Sequence, residues 1–219
     1  LIAVGDSSTI LHYDPETGWA EANSAGSVSL RSVWASAGGE GLDGVMAVGT
    51  KGSLYRYAGD SWVTEQIAAG DVVLNAVFGA GEVRFAVGTG GTISVKKNAN
   101  ASWQGATSNL KDTWDLRALA GTAEDDVKAF GDHGSIVAFD GEKWSVEYVA
   151  GPGNVTVDLS AGLVASTEDG EGLWMGLAHG GGGLVFDGNN WIDMATRPKA
   201  GLRAINGAAR DSLWACGPG

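Results

Sequence analysis

The chain has 219 residues, a formal charge of −12, 36 glycines and a single cysteine. That charge argues against a nucleic-acid backbone or an anionic membrane surface as partner, and the lone Cys216 excludes an internal disulfide. No apolar run of about 18 residues and no basic, apolar leader is present, so the sequence shows neither a membrane span nor a signal peptide.

The first element, LIAVG (1–5), reads as a strand entered in its middle, which suggests a processed or partial chain. TILHYD (9–14) and a segment headed by Trp19 follow. Each is too short for a helix and is bounded by Gly and Asp, residues that supply the turn geometry of hairpins. From Leu30 a four-segment unit recurs, its opening leucine returning at Leu74, Leu116, Leu159 and Leu202, in steps of 42 to 44 residues. Second segments read VMAVG (45–49), RFAVG (84–88), VKAFG (127–131), LWMGL (173–177) and LWACG (213–217). Third segments read SLYRYA (53–58), TISVKK (92–97), SIVAFD (135–140) and GLVFD (183–187). A tryptophan heads each fourth: Trp19, Trp62, Trp103, Trp144 and Trp191.

Four strands on a period of about 40 to 50 residues describe a β-propeller blade. The expected fold is all-β, a single domain over 1–219 with five blades of four antiparallel strands. Complete blades are expected at 30–73, 74–115, 116–158 and 159–201, and a composite blade from 1–29 plus 202–219 that leaves no free edge. The second strand occurs at both ends, as LIAVG and LWACG, so one copy is surplus in a ring of five. A fragment of a six- or seven-bladed propeller is the alternative.

Residues present in every copy belong to the scaffold, and function is sought where copies differ. The fourth-strand tryptophans and the turns GTKGS (49–53), GTGGT (88–92) and GDHGS (131–135) repeat, and no Lys-Ser/Thr or helix follows those turns to hold a nucleotide. The hairpins YDPETGW (13–19), FDGEKW (139–144) and FDGNNW (186–191) resemble the Asp-box type of propeller repeat. They lack its Ser or Thr two residues before the aspartate, and KKNANASW (96–103) lacks the aspartate itself. The accompanying L-x-A-V-W and A-V-G-x-x-G segments are similar to repeats of photosystem II assembly-factor propellers and of large bacterial surface and secreted proteins. The resemblance implies a propeller, and by analogy a secreted or cell-surface location.

Among residues that differ, Arg31, Arg117 and Arg203 follow the first-strand leucine in three repeats, where Asn75 and Ser160 stand in two others. Three guanidiniums near the axis would make an anion or carboxylate site; the alternative pairs each with a turn acid such as Asp43, Asp125, Asp126 or Asp211. Trp114 and Trp34 are non-repeating aromatics, candidates for stacking on a sugar or anchoring a protein. His133 and His179 share one turn position in consecutive repeats, with Asp132 beside the first, a weak metal set. Cys216 is expected as a buried thiol. No pair of carboxylates recurs at a defensible general acid–base spacing. Sialidases set three arginines near a propeller centre, but no F-R-I-P sequence is present here. The reading is a non-catalytic binding or scaffolding module without cofactor, for a protein or glycan, with a lectin-like module as alternative and a sialidase-like hydrolase as a second.

Overall fold

The computed structural model describes residues 1–23, 27–36, 44–59, 61–150, 158–166, 172–178, 181–194, 204–207 and 213–216. The chain forms the expected antiparallel meanders. Blade 2 comprises Leu30–Ala35, Val45–Gly49, Ser53–Tyr57 and Trp62–Gln66; blade 3, Leu74–Ala80, Val83–Gly88, Ile93–Lys96 and Gln104–Ala106. Blade 4 comprises Leu116–Ala123, Asp126–Gly131, Ile136–Phe139 and Trp144–Tyr148; blade 5, Leu159–Ser166, Gly172–Ala178, Gly183–Phe186 and Trp191–Asp193. Blade 1, with Ile2–Val4, Ile10–Asp14 and Gly18–Asn23, is a three-stranded sheet.

Among the described residues, Ala204–Gly207 and Leu213–Cys216 form a two-stranded sheet with no strand paired to blade 1. Ile2–Val4 is itself a second strand, and the place it would take beside Ala204–Gly207 is filled by Leu213–Cys216. Sheet faces uncovered by a neighbour show their aromatics: Trp19 is 51% and Trp214 78% exposed, whereas Trp144 and Trp191 are 3% and 9% exposed. Cys216 is exposed for the same reason, contrary to the buried thiol expected.

Stability resides between blades rather than within them. Among the described residues, four apolar clusters each straddle consecutive blades. Phe85 of blade 3, for example, meets Trp144 of blade 4 edge-on at 5.7 Å, and Phe130 of blade 4 meets Trp191 of blade 5 at 6.0 Å. Such edge-to-face pairs add about 0.5–1.5 kcal/mol beyond the area they bury. Second strands such as Val45–Gly49 are buried throughout because they lie inside a sheet that is covered on both faces. Their closing glycines have a spatial reason: a Cβ on Gly131 would sit 2.2 Å from the Asp115 carbonyl oxygen, and Gly49 and Gly88 are equally tight against Ser29 and Val73.

The first strands of blades 2 to 5 share a bulge just after the opening leucine. The pairing register slips between Leu30 and Ser32, Leu74 and Ala76, Leu116 and Ala118, and Leu159 and Ala161. The extra residues are therefore Arg31, Asn75, Arg117 and Ser160. A bulge leaves its residue outside the ladder and re-aims its side chain, so the positions that vary between copies are those freed from sheet pairing.

Candidate functional site

Antiparallel order puts the second-to-third turns and the connectors between blades at one end of the molecule, here termed the turn face. The other two hairpins of each blade lie at the opposite end. On the turn face each second-to-third turn has two consecutive left-handed residues, His133 (φ 56°) and Gly134 (φ 67°) in blade 4. Blades 2 to 4 hold this turn to the start of their first strand by a reciprocal clasp. The Thr50 N–H donates to the Ser29 carbonyl and the Ser29 N–H to Thr50 Oγ1, both at 3.0 Å. Thr89 and Val73 repeat the pair at 2.9 and 3.1 Å.

Blade 4 uses aspartate in place of threonine. The Asp132 N–H donates to the Asp115 carbonyl at 2.9 Å, and the Asp115 N–H to Asp132 Oδ2 at 2.9 Å. The spare oxygen, Oδ1, accepts from Arg117 Nε and pairs with its Nη2, both at 2.7 Å. Asp115 adds a longer contact with Arg117 at 3.8 Å and accepts the Gly90 N–H of blade 3 at 3.0 Å. The His133 N–H donates to Asp158 Oδ1, ahead of blade 5, at 3.0 Å. Carboxylates thus tie three blades together at this spot.

Trp114 stands on this frame. Its N–H donates to the Lys111 carbonyl at 3.0 Å, closing the turn that precedes blade 4. The indole lies against His133 with ring centroids 4.5 Å apart at 39°, and Lys111 Nζ sits 5.0 Å from the indole centroid. Trp114 is half-buried while His133 and Lys111 are exposed. His133 has a left-handed backbone (φ 56°), is exposed, and lays its imidazole against Trp114. The result is a fixed aromatic platform edged by a cation and an imidazole, suited to stacking and hydrogen bonding.

The sequence candidates separate accordingly. Trp114, His133, Asp132 and Arg117 come together on this face. Arg117 is bound by Asp132 and Asp115 rather than by the acids of the first hairpin, so its charge is compensated. Arg31 is exposed and makes no ion pair among the described residues. Asn75, at the same bulge, donates from Nδ2 to the Leu116 carbonyl of the next blade at 2.9 Å. Arg203 and His179 lie outside the described residues. Trp34 is not at a loop mouth: its ring packs on Gly79 of blade 3, where a Cβ would come within 2.6 Å, beneath the Arg84 guanidinium at 4.8 Å. Among the described residues no three His, Cys, Asp or Glu side chains converge as a metal site. Lys111, Asp115 and Asp158 were missed from sequence. Asp115 and Asp158 precede the first-strand leucine where other copies have Ser29 and Val73, so comparison of copies at that position would have found them.

At the opposite end the Asp-box-like hairpins are turn devices. Asp14, Asp140 and Asp187 each accept, at Oδ1, two backbone N–H groups two and three residues on, at 2.7–3.0 Å. These bonds hold all three carboxyls below their ordinary pKa. Asn98 replaces the aspartate of blade 3 and accepts from the Asn100 N–H at 3.0 Å.

The meanders, their inter-blade cores and the sorting of turns to one face define a β-propeller. No protein-family model matches the chain, and no curated protein does. Similar solved structures include the RRP9 WD40 repeats (TM-score 0.72, 14% identity), covering 98% of this chain and 68% of that one. YCF48 from Cyanidioschyzon merolae is similar at a TM-score of 0.60 and 13% identity, over 86% of this chain and 63% of that one. YCF48 bound to D1 peptide gives 0.67 and 16%, over 99% and 71%. The chain thus spans about two thirds of the length of these propellers, and at such identities the shared property is the fold.

Proposed function

We propose that the protein is a non-catalytic interaction module that binds a protein or peptide segment on the turn face, with the Trp114–His133 pair as anchor. The observation that carries this is the non-repeating Lys111–Trp114–His133 stack, seated on a frame whose carboxylates are occupied by backbone N–H groups or Arg117. A platform fixed before binding loses little side-chain freedom on association, and tryptophan is a frequent interface hot spot. A propeller of this fold has been captured with a peptide, YCF48 with D1 peptide, which supports the reading by analogy. The resemblance of the repeats to bacterial surface and secreted propellers supports a secreted or cell-surface setting.

The test is selection of a displayed peptide library on the immobilised protein, followed by titration of enriched peptides. Trp114→Ala is expected to weaken binding by at least about 30-fold, a hot-spot loss near 2 kcal/mol, and His133→Ala by less. Enriched peptides that bind Trp114→Ala as tightly as the unaltered protein would refute the site. Enrichment of nothing, with sugars bound on a glycan array and lost in Trp114→Ala, would replace the peptide reading by the lectin one.

A further inference from the structure

The end opposite the turn face carries the first-to-second and third-to-fourth hairpins, and between blades 3 and 4 it opens into a groove of about 500 Å³. Val83, Val95 and Phe139 supply its apolar lining, while Glu124, Asp125 and Lys97 stand at its rim. Glu124 shapes it by crossing from blade 4 to accept the Glu82 N–H at 2.5 Å. Gly81 permits that approach, since any Cβ there would meet the Glu124 carboxylate.

The surrounding charge is net negative. Glu82, Asp126, Asp140 and Glu142 neighbour the rim acids in the chain, against Lys96, Lys97, Lys143 and Arg84 on the basic side. Arg84 interacts electrostatically with Glu124 and Glu82, which leaves Asp125, Asp126, Asp140 and Glu142 as the acids it does not face. Its guanidinium lies against Trp34 at 4.8 Å, and its Nη1 donates to the Gly81 and Val83 carbonyls at 2.6 and 3.0 Å. The backbone bonds that lower the Asp140 pKa keep that carboxylate ionised. An apolar slot therefore sits within a negative field.

We propose that this groove docks a basic peptide segment of another protein. An aliphatic or aromatic side chain enters over Val83, Val95 and Phe139, and lysines or arginines on either side of it meet Glu124, Asp125 and Glu142. Charge complementarity selects this occupant: the rim is acidic, and the whole chain carries −12, which steers cationic segments toward it. The groove lies at the end opposite Trp114, so its occupancy does not depend on the turn-face reading.

The experiment is fluorescence anisotropy with a labelled synthetic peptide bearing one leucine between two runs of lysine. Two companions carry alanine for leucine, or glutamate for lysine. Binding of the lysine–leucine peptide is expected to weaken as salt rises from about 0.05 to 0.3 M. The alanine peptide should bind about tenfold more weakly, from the lost apolar contact, and the glutamate peptide not at all. Asp125→Lys combined with Glu142→Lys should weaken binding at least about tenfold, while Trp114→Ala leaves it unchanged. If the double variant fails to fold, Glu142→Lys alone should weaken binding roughly threefold. Absence of binding, equal binding of the glutamate peptide, indifference to charge reversal, or loss in Trp114→Ala would each overturn the proposal.

Discussion

Replacing Glu147 should show how blades 4 and 5 are joined. Lys128 Nζ of blade 4 pairs with Glu147 Oε2 at 2.7 Å, and the Trp191 indole of blade 5 donates to Glu147 Oε1 at 2.7 Å. Lys128 also lies 4.8 Å from the Trp174 ring centroid. The Lys128 side chain is only 11% exposed, so Glu147→Ala leaves an unpaired ammonium and an unpaired indole N–H out of water. Breaking a fully buried pair costs about 3–5 kcal/mol. Glu147 is 26% exposed, so water partly compensates, and the expected loss is about 2–3 kcal/mol, a roughly 30- to 150-fold change in the unfolding equilibrium. Glu147→Gln keeps an acceptor for Trp191 and should cost about half as much. Lys128→Met with Glu147→Gln removes the stranded charge and keeps packing on Trp174, returning stability to within about 1 kcal/mol of the unaltered protein. Urea unfolding followed by circular dichroism gives each value as a midpoint shift at constant slope. A cost for Glu147→Ala below about 0.5 kcal/mol, the range of an exposed pair, would refute the reasoning.

Gly131→Ala should destabilise by at least about 2 kcal/mol, because the added methyl meets backbone oxygen that cannot move without opening the clasp at Asp115; thermal melting of this variant beside Gly105→Ala, where no atom lies within 4 Å of the added carbon, isolates the effect. Asp14, Asp140 and Asp187 have pKa values lowered on folding, so their stabilisation is complete above the ordinary carboxyl pKa and fades as pH falls through the depressed folded values. Converting all three to asparagine, which keeps an acceptor oxygen as Asn98 does for the Asn100 N–H, should flatten the loss of stability below about pH 4; an unchanged acid limb in pH-dependent melting would show that other carboxyls govern it.

Much of the site was legible because repetition sorts residues by role. Trp114 stood out as an aromatic where other copies have Val28, Val72 and Ala200. Arg31 and Arg117 stood out at a position that proved to be the bulge. Trp34 ranked beside Trp114 by the same test, yet one faces the platform and the other Gly79 of the next blade. Nothing within a single repeat separates them, because the neighbour that decides is about one period away.

Strand, blade and propeller class rest on short apolar segments, turn glycines and a fixed period, all local in the chain and so readable along it. That Arg117 is neutralised by Asp132 and Asp115, that His133 stacks on Trp114, and that no described strand joins the two terminal sheets are visible only once the blades are assembled. Each of those outcomes depends on how one blade is rotated and stacked on the next. Pairing within a sheet follows from residue alternation, whereas contact between sheets follows from side-chain shape across a gap that the period does not encode.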